Sequence, residues 1–254
     1  MHIDFHKYEA LGNDYIVISP EAIELKKGDK RIKKICHRNK GIGSDGILYG
    51  PFWKEGIPSL KIFNPDGSEA EKSGNGLRIF AQHLYLESDI KTKKFKIRTI
   101  SGINEAKIFD DDASLIEINM GKASLSPKDI PIESEHEWVD KELELNGDPL
   151  KLTCVSIGNP HAVYFPEIWD ENSIKVLGPE IERHKLFLKR TNVQMVRVLD
   201  RNNLEIRIWE RGAGWTMASG SSSCAAAYEA YYLGKTDRDM NVKMPGGAIQ
   251  IEIS

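Results

Sequence analysis

Short runs that alternate between apolar and polar residues, or that are β-branched and apolar, dominate this chain. Residues 3–8 alternate, and residues 15–18 read Tyr-Ile-Val-Ile. The same strand signal returns at 60–63, 95–100, 103–109, 115–118, 152–157, 162–165, 193–199, 204–209 and 248–253. Glycine, asparagine, aspartate and proline punctuate the runs and mark turns. Helical periodicity is clear in two places. Residues 77–87 follow Ser73-Gly74-Asn75-Gly76, and residues 224–233 follow Ser219-Gly220-Ser221-Ser222 and stop at Gly234, a C-terminal cap. Weaker signals predict a helix at 31–37 and a turn or two of helix at 179–184. Many strands with few helices predict an α+β fold. The stretch 120–150 is rich in Ser, Pro, Asp and Glu and is the expected domain connection, with a strand-poor acidic insertion at 133–144.

The pattern also repeats. Gly12-Asn13-Asp14-Tyr15-Ile16-Val17 returns as Gly158-Asn159-Pro160-His161-Ala162-Val163, an offset of 158 − 12 = 146. Lys61-Ile62-Phe63-Asn64 aligns with Arg207-Ile208-Trp209-Glu210, and Ser73-Gly74-Asn75 with Ser219-Gly220-Ser221, at the same offset (210 − 64 and 219 − 73). Three matches in one register, with the same local structure expected at each, point to a duplicated fold. Two related lobes make a cleft, and clefts between lobes are common ligand sites.

Composition narrows the partners. The 254 residues are 40% hydrophobic and 29% charged, with a net charge of −3, an ordinary globular balance without the field that favours nucleic acid or an anionic membrane. No apolar run approaches the roughly 18 residues that a membrane span needs, and residues 1–6 carry no signal-peptide core. Cys36, Cys154 and Cys224 are three scattered thiols without metal-ligand spacing, which fits a reduced, cytoplasmic setting. The seven histidines form no metal-binding pair, so no metal site is expected.

The repeated motifs carry chemistry. A serine before Gly-x and a helix caps that helix, its commonest role. The same turn exposes backbone N–H groups at the positive end of the helix dipole, where carboxylate or phosphate binds. Asn13 and Asn159 suit turns after strands. His161 and Glu210 fall in the same repeated motifs as Asn13 and Asn64, so a His161–Glu210 proton-handling pair is one reading and a structural histidine the other. Arg211 can fork onto a substrate carboxylate or pair with Glu210.

The run NPDGSEAEKSGNGLR at 64–78 resembles the first signature of the diaminopimelate epimerases, and ERGAGWTMASGS at 210–221 resembles the second. GND at 12–14, GIGSDG at 41–46, GNPH at 158–161 and TN at 191–192 fit in the family's order, so the resemblance spans nearly the whole chain. It implies two pseudo-symmetric lobes, each a β-barrel-like sheet around a central helix. The lobes would be 1–119 and 120–245, with a final strand in 246–254 returning to the first. It implies inversion at the α-carbon of diaminopimelate, without pyridoxal phosphate or metal, by a cytoplasmic homodimer in the pathway to lysine and peptidoglycan precursors. The reactive positions would be Ser73 and Ser219, with His161 and Glu210 close by. Gly74, Asn75, Gly220 and Ser221 would meet the reacting amino-acid end, and Asn13, Asn64, Asn159, Asn192 and Arg211 the far end. Gly46 stands where many members carry a ligand-contacting glutamine.

Ser73 and Ser219 stand where the family has cysteines. A thiol has a pKa of about 8.5 and helix N-termini lower it, whereas an alcohol is several units more basic. A gap of about five units would cost about 7 kcal/mol, or roughly five orders of magnitude in rate, unless a neighbouring base compensated. Three readings follow. The first is an epimerase, with its serines native and assisted, or put in place of two cysteines to trap ligand. The second is another racemase, epimerase or dehydratase on the same scaffold. The third is an amino-acid-binding protein with a weakened active site. Trp215, beside the second serine, either narrows the pocket or simply packs.

Overall fold

The computed structural model describes residues 4–88, 90–145 and 148–254, so the start of the strand expected at 3–8 lies outside the described residues. The chain divides into two compact units, Met1–Met120 and Gly121–Ser254.

In the first unit, β1 (His6–Ala10) and β2 (Asn13–Ile18) form a hairpin, followed by α1 (Lys30–Cys36), β3 (Gly46–Lys54), β4 (Ile57–Phe63) and the short β5 (Glu69–Ala70). Helix α2 (Gly74–Glu87), β6 (Lys94–Thr99), β7 (Gly102–Ile108) and β8 (Ile116–Ile118) complete it. The sheet order is β1-β2-β3-β4-β6-β7-β8, with β5 on β4. Helix α2 packs on β1 and β2 near one edge and on β7 and β8 at the other, so the sheet bends around it as a half-barrel. Burial explains why. Leu77, Phe80, Ala81 and Leu84 of α2 are fully buried against Val17, Leu48, Leu60, Ile62, Ile97 and Ala106, which the alternation of the strands turns inward.

The second unit contains β9 (Lys141–Leu145), β10 (Asp148–Ser156), β11 (Pro160–Tyr164), α3 (Ser173–Glu182), β12 (Asn192–Asp200), β13 (Asn203–Glu210), β14 (Gly214–Thr216), α4 (Gly220–Tyr232), β15 (Asp239–Met244) and β16 (Gly247–Glu252). Its order is β9-β10-β11-β12-β13-β15-β16 with β14 on β13, and from β10 to β16 it repeats β1 to β7 of the first, with β8 and β9 as unmatched edge strands. Strands β2 and β3 run parallel, as do β11 and β12; β4 and β6 run parallel, as do β13 and β15; the other shared pairs are antiparallel in both.

The offset of 146 survives at the level of individual partners. Tyr15 pairs with Gly46 and His161 with Asn192. Ile47 pairs with Phe63 and Val193 with Trp209; Ile62 pairs with Ala70 and Ile208 with Thr216. The α+β class and the duplicated sheet-around-helix lobe are therefore what the chain forms.

Three details differ from expectation. The last strand does not return to the first sheet: β16 pairs with β15 through a two-residue turn at Pro245-Gly246, as β7 pairs with β6 in the first unit. The stretch 133–144, read as strand-poor, holds the start of β9, whose Leu143 and Leu145 are buried while its charged residues face out. Helix α3 starts at Ser173, well before the expected 179, because Gly178 and Pro179 sit inside it. A Cβ on Gly178 would lie 2.6 Å from the Trp209 side chain, so that glycine serves helix–sheet packing and does not break the helix.

The half-barrel account predicts that Phe80→Ala, which empties the fully buried centre of the first lobe, lowers unfolding free energy by about 3–5 kcal/mol. Denaturant unfolding that changes by less than about 1 kcal/mol would show that α2 does not carry that core.

Candidate active site

The two serines are built alike. Ser73 precedes α2 with φ −143° and ψ 118°, and its Oγ accepts a hydrogen bond from the Gly76 N–H at 3.0 Å. Ser219 precedes α4 with φ −153° and ψ 124°, and its Oγ accepts from the Ser222 N–H at 3.4 Å. The carbonyls of Ser73 and Ser219 accept the first helical bonds, from Leu77 and Ser223. Each cap thereby uses the third N–H of its helix. The first two belong to Gly74 and Asn75, and to Gly220 and Ser221, and have no partner within the helix. Those are the four residues expected to meet the reacting end of a ligand.

Around Ser73, Tyr15 on β2 brings its hydroxyl to 3.2 Å from the serine Oγ. The Asn75 amide donates to Asn13 Oδ1 at 2.7 Å, and Arg78 donates to Asn75 Oδ1. Asn13 also donates to Asp45 at 3.3 Å. Behind them Asp14 sits between Lys7 and Arg38, and Arg38 also holds Asp45. Burial pushes the Asp14 carboxyl up, but hydrogen bonds from Arg38 and Lys7 outweigh it and hold the group well below the usual range. Asn64, after β4, donates to the Ser68 hydroxyl at 2.9 Å.

In the second unit Asn192 ties two segments together. Its amide donates to the Pro160 carbonyl at 2.8 Å, and its Oδ1 accepts from the Arg211 N–H at 3.0 Å. The Arg211 guanidinium reaches the Lys189 carbonyl at 3.4 Å. His161 is wholly buried, and its Nε2 lies 2.9 Å from Asn159 Oδ1. Burial depresses its pKa to about 3, with the nearby Arg211 charge acting the same way and Gln194 opposing. The imidazole is therefore neutral and weakly basic. The partner of its Nε2 is the Asn159 amide oxygen, and Glu210 stands at the end of β13.

No thiol replaces either serine. Cys224 lies on the second turn of α4, while Cys36 and Cys154 are buried, with the Cys154 thiol pushed up by burial. Trp215 on β14 is 39% exposed, with the Lys175 ammonium 5.3 Å above its ring. A groove of about 470 Å³ lined by Trp53, Ile57, Ile90, Phe95 and neighbouring lysines contains none of the candidate residues. No cluster of potential metal ligands occurs, and no helix is long and apolar enough to cross a membrane, among the described residues.

Tyr15, Gln194 and Ser222 are the residues that motif reading passed over. Tyr15 lies inside the repeated motif, at the position matching His161, and that register was the available signal. Gln194 donates to the Ser222 hydroxyl at 3.0 Å behind the second serine. Their register partners in the first unit are Leu48 and Gly76, so nothing in the repeat itself pointed to them.

The diaminopimelate epimerase family model matches residues 5–126 and 153–254. This chain belongs to the diaminopimelate epimerase family. It is 48% identical to diaminopimelate epimerase 2 of Nostoc sp., over 98% of this chain and 88% of that protein. It is 37% identical to the diaminopimelate epimerase of Moorella thermoacetica, over 98% of this chain and 91% of that one. A crystal structure of a hydroxyproline epimerase from Agrobacterium vitis shares the fold, with a TM-score of 0.71 at 11% identity over 99% of this chain and 82% of that chain.

The burial of neutral His161 has a measurable sign. Its folded pKa lies below the unfolded value near 6.5, so it supports the fold at neutral pH. That support fades as pH falls from about 6.5 toward 3, because only the unfolded chain takes up the proton. His161→Gln is expected to lessen the loss of unfolding free energy between pH 6.5 and 4 by up to about 1.4 kcal/mol per pH unit. Equal pH dependence of the two proteins in urea titrations would show that the imidazole titrates normally.

Proposed function

We propose that this protein is a diaminopimelate epimerase in which Ser73 and Ser219 act at one substrate α-carbon. One takes the α-proton and the other returns a proton to the opposite face. The observation that carries the reading is the pair of serine-capped helix starts at matching repeat positions, in a chain of this family. The free N–H groups of Gly74 and Asn75, and of Gly220 and Ser221, suit the carboxylate and the negative charge that develops when the α-proton leaves. Asn13, Asn64, Asn159, Asn192 and Arg211 suit the distal amino-acid end, with Arg211 as its fixed cation. Within this reading the reaction needs neither pyridoxal phosphate nor metal. It runs in a cytoplasmic homodimer and supplies lysine and peptidoglycan precursors.

The chemical difficulty is the weak acidity of an alcohol. The cap N–H strengthens its hydrogen bond as the oxygen becomes anionic, by about 1.5–3 kcal/mol, and the helix dipole adds about 0.3–2 kcal/mol. Together these offset part of the roughly 7 kcal/mol that a five-unit gap from thiol to alcohol represents. Turnover slower than a cysteine pair would give is the expected consequence.

Incubating LL-diaminopimelate with the protein in D₂O should place deuterium at one α-carbon and produce the meso isomer, with Ser219→Ala slowing inversion at least about 10²-fold. Absence of deuterium at high enzyme concentration would overturn Ser73 and Ser219 as the acting groups. Deuterium without inversion would show that only one serine works.

A further inference from the structure

We propose that Tyr15 is the proton partner of Ser73, so that the first lobe works as a phenol–alcohol relay in place of a single thiol. The inference rests on the epimerase reading above and adds a residue to it. Tyr15 Oη lies 3.2 Å from Ser73 Oγ, and the tyrosine is 91% removed from solvent on β2, next to the edge strand of the first sheet. Gly46 on the adjacent strand makes room for the ring: a Cβ there would come within 2.8 Å of Tyr15 Cε1 and 3.2 Å of Cδ1. A glycine at this position thus lets the ring lie against β3. The Gly76 N–H donates to the same serine oxygen, so Ser73 Oγ receives one fixed donor from the helix and has the phenol as its second neighbour.

The relay addresses the serine's deficit directly. In proton removal, Ser73 Oγ takes the substrate α-proton while its own hydroxyl proton passes to a Tyr15 phenolate, and the C–H electron pair stays on the α-carbon. In the reverse direction the Ser73 hydroxyl gives its proton to the carbanion as the Tyr15 phenol reprotonates Ser73. The charge then rests on a phenolate, not an alkoxide. A phenol ionises near pKa 10, several units below an alcohol, and each unit is about tenfold in the population of the reactive form. Tyr15 acts through Ser73 and is in that sense a positioning residue for its proton. The register-matched residue of the second lobe, His161, turns its ring to Asn159.

The test measures α-proton exchange of LL-diaminopimelate in D₂O across pH 7–10, for native protein and Tyr15→Phe, with either Ser73 or Ser73→Cys. With serine present, Tyr15→Phe should slow exchange about 10²-fold or more and remove the rise in rate toward high pH. With cysteine present the same change should cost less than about tenfold, because a thiol ionises without the phenol. Unchanged thermal unfolding of Tyr15→Phe checks that the lobe is intact. A loss under about threefold with serine, or equal losses in both backgrounds, would overturn the relay. If the native protein exchanges no proton at all, the relay is also overturned. The double variant Ser73→Cys with Ser219→Cys then tells the two ideas apart: its activity keeps the epimerase scaffold, and its inactivity removes that reading too.

Discussion

Everything proposed for this protein depends on one hydrogen bond made twice: a serine hydroxyl oxygen accepting the third N–H of the helix that follows it. The bond fixes the side chain in an extended-backbone cap and leaves the hydroxyl proton available to donate. It also points a helix dipole at any negative charge on that oxygen. The same geometry serves two ends. It starts the central helix of each lobe, around which the sheet bends, and in the proposed reaction it sets a protic group beside the two N–H groups offered to a carboxylate. Fold and chemistry are therefore coupled at one residue in each lobe.

The duplication is strict in backbone and loose in side chains. From β1 to β7 and from β10 to β16, strand order, direction and residue pairing repeat at 146 residues, yet the residues behind the two serines diverge. Tyr15 corresponds to His161, Gly46 to Asn192, Leu48 to Gln194 and Gly76 to Ser222. In the first lobe a phenol faces the serine and an apolar side chain backs the helix. A Cβ on Gly76 would already touch Leu48 at 3.0 Å. In the second lobe Gln194 and Ser222 bond to each other in the interior, and the imidazole is locked to an asparagine. Backbone register is held by the whole sheet, because a one-residue slip would turn every buried side chain outward. Single side chains behind the helix face no such constraint.

Much of this was legible in the chain. The repeat, the two Ser-Gly helix starts and the asparagines at 13, 64 and 159 stood out because turns, caps and glycines act locally, whereas Asn192 came only with the family resemblance. What was hidden depended on contacts across elements. Strand β3 passes through Gly50-Pro51 and lacks a clean alternation, so its place was set by Ile47 and Leu48 meeting Phe63 and Ile62. Strand β15 reads as a polar stretch, although its alternate residues Met240, Val242 and Met244 are buried. Pro179 suggested a helix start and instead lies inside α3, whose Gly178 fits against Trp209. The burial that makes the His161 imidazole weakly basic is a tertiary property that no motif encodes.

The central claim is that both caps serve one carbon. The most direct measurement is a crystal structure of the protein with diaminopimelate bound. The account predicts the Oγ atoms of Ser73 and Ser219 on opposite faces of a single α-carbon, each within about 3–3.5 Å of it, with the carboxylate on the N–H groups of both helix starts. A ligand seated on one cap alone, or serines opening into separate cavities, would contradict it.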